Sequence, residues 1–158
     1  MRRAQAFVWA GVAVAFISMP MAAARAGTLA GAEPAPYVID GDAILEPLDG
    51  RRGDAAVGQQ LIGERHRSLC ILCHAVPEGA AQLQGTLAPG LAGIGSRLSE
   101  GQIRLRIVDM KRLNPASIMP AYHALRPGVR TAQAWQGKPV LGAAEIEHLV
   151  AYLVTLKE

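Results

Sequence analysis

Cys70 and Cys73 are the two cysteines of this chain, and His74 directly follows the second. The resulting C-x-x-C-H run is the attachment signal of a c-type haem. Two thiols at this spacing can each add across a vinyl group of the porphyrin, and His74 is then held under the iron as proximal ligand. Aromatic residues make up 4% of a chain that is 51% hydrophobic, so a large flat cofactor would fill interior that Phe and Trp usually occupy. Other uses of the pair fit less well. A Cys70–Cys73 disulfide closes too small a loop to stabilise much. A thioredoxin-like pair lacks a surrounding βαβ pattern, and a zinc site needs about four ligands, with no second Cys/His pair at metal spacing.

Residues 1–26 read as a secretory signal peptide. Arg2 and Arg3 supply the basic start, an uncharged apolar stretch runs from Ala6 to Met19, Pro20 breaks it, and Ala24-Arg25-Ala26 offers a small-x-small cleavage site. The mature start is then Gly27, with Arg25 as the alternative. An uncleaved anchor competes, because residues 5–24 are uncharged over roughly the ~20 residues a membrane span needs; Pro20 and the alanines favour cleavage. The paired arginines lack the context of a twin-Arg signal, and haem attachment after export favours general secretion. Removing this segment changes the charge: 16 Lys+Arg against 13 Asp+Glu is +3, and without Arg2, Arg3 and Arg25 the balance is 13 against 13, or zero. A nucleic-acid partner is therefore not indicated.

The remainder reads as an extended arm over 27–53 and a helical domain over 54–158. Pro34, Pro36 and Pro47 break any helical period in the arm, and its apolar Ile44, Leu45 and Leu48 imply packing on the domain or on a partner. Asp54 as N-cap predicts a helix over 55–67, with Val57, Leu61 and Ile62 on one face. Ser99 and Gln102 form a capping box for a second helix, whose Ile103, Ile107 and Met110 make an apolar stripe. Arg104, Arg106, Lys111 and Arg112 lie off that stripe and read as a solvated face, with steering of an acidic partner as the alternative. Asn114-Pro115 stops the helix. A last helix is predicted over 143–156, capped by Gly142, with Ile146, Leu149, Val150 and Leu153 facing inward. No strand or repeat pattern appears. The fold class is all-α, and a helix followed by C-x-x-C-H is the order of a class I cytochrome c.

His74 needs a partner across the haem, commonly methionine. Met110 sits on a helical stripe and reads as core, whereas Met119 sits in a proline-held loop and is the preferred ligand. Among the rivals, His66 is too close to Cys70, His148 reads as solvated, and His123 is the serious competitor. Pro89 offers a carbonyl to fix the His74 ring. Arg97 could pair with a propionate or be solvated; Trp135 and Tyr122 could line the pocket or simply pack.

With these residues in view, the chain resembles the SoxX family, the small monohaem subunit of the thiosulfate-oxidising SoxAX cytochrome complex. The matching parts are Gly41-Asp42-Ala43, Pro47-Leu48 and Gly53-Asp54 in the arm, the stretch 69–74, residues 89–97, Asn114-Pro115 with Met119-Pro120-Ala121-Tyr122, and Gly137-Lys138-Pro139-Val140-Leu141 leading into Val150-Ala151-Tyr152-Leu153. Arg67-Ser68 departs from the Gly-Asn often found there in the family. The resemblance implies one haem c on Cys70 and Cys73, ligated by His74 and Met119, in a periplasmic subunit without its own catalytic site. It further implies a larger SoxA-like haem subunit, which joins thiosulfate to a carrier-protein cysteine, and a downstream acceptor cytochrome. A free-standing electron-shuttle cytochrome would use the same site. A haem-based gas sensor or peroxidase would need an open axial position.

Overall fold

A computed structural model describes residues 35–77, 83–126 and 132–158. The predicted signal peptide, the first residues of the arm and Pro127 lie outside these. The elements are α1 (Ala55–Ile62), a 3-10 turn at Cys70–Leu72, the short α2 (Ile94–Arg97), α3 (Glu100–Leu113), a 3-10 turn at Gln133–Trp135 and α4 (Ala143–Leu153). Among the described residues the extended pairing is limited to an isolated bridge between Asp40 and Ala43. No helix among them is long and apolar enough to cross a membrane.

α4 is the hub. Its Ile146, Leu149, Val150 and Leu153 are buried, and both α1 and α3 pack on it. α1 comes close because Gly58 has no side chain: a Cβ there would overlap the His148 carbonyl and approach Tyr152 Cβ at 2.8 Å. Asp54 caps α1 by accepting from the amides of Ala56 and Val57, and the Asp54 amide donates 2.8 Å to His148 Nδ1. His148 is thus a half-buried helix-to-helix tie, not the solvated group expected. α1 ends at Ile62, short of the predicted 67, where the amides of Gly63 and Glu64 bond to the Gln60 and Leu61 carbonyls three residues back in place of the helical four. Leu61 and Ile62 are buried, whereas Val57 is exposed. α4 likewise stops at Leu153, ahead of the predicted 156. The Gly142 amide donates to Glu145 Oε2 at its start, and Glu145 also pairs with Arg67.

The arm is part of this core. Ala43, Ile44 and Leu48 are buried, while Leu45 stays exposed. The Ile44 amide donates 3.0 Å to the Gly101 carbonyl, and the Leu48 amide donates 3.0 Å to Glu147 Oε1. Behind them lies a feature that corrects the expected solvated face of α3: Arg104 is fully buried at 0% exposure, beside Glu147 at 2%. Arg104 Nε and Nη2 donate to the two Glu147 oxygens at 2.8 and 2.9 Å, Nη2 also reaches Glu100 at 2.8 Å, and Nη1 reaches the Ile44 carbonyl at 2.7 Å. Burial opposes the guanidinium charge, but the hydrogen bonds and charges of Glu147 and then Glu100 outweigh it and hold its pKa above the ordinary arginine value. One ion pair thereby ties the arm, α3 and α4 together.

Candidate haem site

The Cys70–His74 segment is shaped by its own backbone. Leu69 sits in the left-handed region at φ 62°, a conformation costing a non-glycine residue about 1–2 kcal/mol. That turn lets Ile71 bury completely while Leu72 points outward. The amides of Cys73 and His74 both donate to the Cys70 carbonyl, at 3.1 and 3.0 Å. The loop that follows then runs back along this segment. Gly85 donates to the Ile71 carbonyl at 2.8 Å, Ala88 to Cys73 at 2.9 Å and Leu91 to Ala75 at 2.8 Å. Gly85 has to be glycine, because a Cβ would meet the Leu72 carbonyl.

This register places the Pro89 carbonyl 2.7 Å from His74 Nδ1. A carbonyl only accepts, so Nδ1 carries the proton and Nε2 keeps its lone pair. The ring is therefore oriented and in the tautomer that ligates a metal through Nε2.

Beside it lies a cavity of about 550 Å³, lined by His74, Cys70, Pro89, Met110, Met119 and Tyr122 and walled by Ile62, Leu91, Ile103, Ile107, Leu149 and Leu153. Its size falls within the ~300–1,000 Å³ of ligand pockets. Arg97 and Arg106 also reach it. Arg97 Nη1 donates 2.7 Å to the Ala92 carbonyl and lies 3.3 Å from Glu158. Arg106 Nη1 donates 2.9 Å to the Gln102 carbonyl, and the guanidinium is 3.7 Å from Asp42. Reading Arg106 as solvated missed this placement. Its spacing of three after Ile103 and four before Met110 held the signal, since such residues share a helix face. Cys73 is half-buried and lies next to the lining residues in sequence, without being one of them.

Burial pushes the Cys70 thiol above its ordinary pKa, against hydrogen bonds with Ser68 and Tyr122. Burial likewise pushes the Tyr122 hydroxyl well up, helped by Cys70 and Cys73. Both side chains are part of the cavity wall. Among the described residues there is no cluster of three or more His, Cys, Asp or Glu that could hold a metal ion.

The rival ligands lie elsewhere. His123 is 1% exposed and its ring is occupied: Nε2 accepts from the Ala35 amide at 3.0 Å and Nδ1 donates to the Leu141 carbonyl at 3.0 Å. His66 is exposed. Trp135 is half exposed and does not line the cavity. Met110 and Met119 are both on the cavity wall, the first from α3 and the second from the loop beyond it. An apolar slot with an oriented imidazole, a thiol on the wall and a thioether within it fits a haem.

The helices around this slot define a small all-α protein of the cytochrome c-like fold. No protein-family model and no curated protein matches the chain. Among solved structures, it is similar to a chain in the crystal structure of SoxXA from P. pantotrophus, with 31% identity and a TM-score of 0.72 over 82% of this chain and 100% of that one. The chain belongs to the family of that protein, the SoxX-like cytochromes.

Proposed function

We propose that this chain is a periplasmic monohaem c-type cytochrome that relays electrons in thiosulfate oxidation, as partner of a larger catalytic haem subunit. The observation that carries the reading is His74, its Nδ1 tied to Pro89 and its ring on the same cavity wall as Cys70 and Met119. Cys70 and Cys73 would hold haem c as thioethers, with His74 and Met119 as its axial ligands. Bound there, the haem supplies a one-electron couple, tuned upward by a thioether ligand. The chain's own residues do the rest. Pro89 fixes the imidazole, the apolar wall from Ile103, Ile107 and Leu149 would keep water from the group, and Arg97 and Arg106, also on the lining, would neutralise its propionates.

In this reading residues 1–26 are cleaved on export, 27–53 form the arm and 54–158 the cytochrome domain. The subunit has no catalytic site of its own and passes its electrons to an external acceptor cytochrome. The thiosulfate-joining chemistry belongs to the SoxA-like partner, a proposal supported by the likeness to SoxXA.

A free-standing shuttle is the second reading. It is favoured by one observation: Ile44 and Leu48 are buried in the domain itself, so the arm does not require a partner to cover them. Purification from the native periplasm separates the two. A second, larger haem protein co-eluting with the chain supports the subunit reading; a lone haem band contradicts it. Reduction of this chain by thiosulfate only in the presence of that larger protein tests the relay role.

A further inference from the structure

α3 runs over Glu100–Leu113 but is broken at Asp109, whose backbone is extended at φ −160° and ψ 82°. Neither proline nor glycine stands there, and a break without them requires something inserted into the helical bonding. Here it is the returning chain after Met119. The Tyr122 amide donates to the Ile107 carbonyl at 3.2 Å, and the His123 and Ala124 amides donate to the Val108 carbonyl at 3.3 and 3.2 Å. In an unbroken helix those oxygens would serve the amides of Lys111 and Arg112. At the break itself the Asp109 carboxylate, 8% exposed, takes Arg126 in a fork: Nε and Nη2 reach Oδ1 at 3.0 and 2.6 Å, and Nη2 reaches Oδ2 at 2.5 Å.

The loop carrying Met119 is thus tied to α3 at both ends. Its near end has local ties only: Lys111 Nζ to the Ser117 carbonyl, Asn114 Oδ1 to the Ala116 amide at 3.1 Å, and Ser117 Oγ to the Met119 amide at 3.2 Å. Its far end is held by the break and by the Asp109–Arg126 pair. The helix positions flanking the break, Ile107 and Met110, line the cavity together with Met119 and Tyr122.

We propose that Asp109 and Arg126 are positioning residues for the sixth ligand: their ion pair clamps the far end of the Met119 loop against the cavity wall, so that the sulfur stays at the iron. The proposal rests on Met119 being that ligand. Neither residue lines the cavity, so both act through the loop.

The test uses the full-length, haem-loaded protein and the variants D109N, R126Q and R126K. The sulfur-to-iron charge-transfer band of the oxidised form and the far-ultraviolet helix signal are followed in one urea titration, and carbon monoxide binding to the reduced form is measured without urea. In the wild type, band and helix signal disappear together. In D109N and R126Q the band is lost at lower urea than the helices, and the carbon-monoxide-binding fraction rises by about tenfold, the lower end of what a hydrogen bond to a charged group contributes. R126K restores most of the band. Should D109N fail to fold, R126Q carries the test, because the Arg126 side chain is 37% exposed. Variants that keep the band until the helices melt, and that bind no more carbon monoxide than the wild type, overturn the clamp alone. A wild type without the band removes Met119 as ligand and overturns both readings.

Discussion

Replacing Glu147 by alanine tests how the arm is joined to the helices. Glu147 Oε1 accepts from both Arg104 Nε at 2.8 Å and the Leu48 amide at 3.0 Å, and Oε2 accepts from Arg104 Nη2 at 2.9 Å. Arg104 has 0% exposure and keeps only Glu100 and the backbone carbonyls of Ile44 and Leu45 once Glu147 is cut back. Removing one partner of a buried ion pair costs about 3–5 kcal/mol, because a charge is left without compensation. The orphaned Leu48 amide adds about 1–3 kcal/mol where water cannot reach it. Glu100, 35% exposed, returns part of this by turning further toward Arg104, so the expected loss is about 3–5 kcal/mol, a large share of a marginal total. The apolar double variant R104M/E147L restores charge balance but orphans the Ile44 carbonyl and the Leu48 amide, and should fall between wild type and E147A. Urea unfolding at neutral pH, followed by circular dichroism, measures both. A loss below about 1 kcal/mol for E147A, within the range of a solvated pair, would refute the buried tie.

Other expectations follow from the packing and the site. Gly58→Ala, which in an open helix gains about 1 kcal/mol, should destabilise here because its Cβ overlaps the His148 carbonyl; a raised unfolding midpoint contradicts the α1–α4 contact. The Tyr122 hydroxyl is held above its ordinary value of 10.0 by burial first. The unfolded chain therefore releases that proton earlier, stability is full below about pH 10 and falls as the pH rises beyond it, and Y122F flattens the decline. An unchanged slope in Y122F assigns the loss elsewhere. Limited proteolysis should spare residues 40–48, since Ile44 bonds to Gly101 and is 1% exposed; early cleavage there refutes an integral arm. Met119→Ala should bind carbon monoxide throughout the reduced population, where the wild type binds it only in a small fraction.

Local signals were legible where one or two residues decide an outcome. Asp54, the Ser99–Gln102 box and Asn114 mark helix ends through bonds made within a turn. The His74–Pro89 contact was equally readable, because a proline in a loop offers a carbonyl and little else. Effects that depend on which faces meet were not. Residues 63–67 contain nothing that forbids a helix, yet the chain turns at Gly63 and leads into Ser68, whose hydroxyl is buried on the Ile62 carbonyl. Arg104 looked solvated because it lies off the Ile103–Ile107–Met110 stripe among the other basic residues of α3; only the arm and α4 closing over it make it core. The break at Asp109 has no sequence mark, since its partner Arg126 lies on the far side of a loop.

The central claim is a haem held by Cys70 and Cys73 between His74 and Met119. Near-infrared magnetic circular dichroism of the oxidised, exported protein reads the axial pair directly. The account expects a histidine–methionine signature with its sulfur-to-iron charge-transfer band, abolished in M119A. A bis-histidine signature, or a methionine signature that survives in M119A, would contradict it.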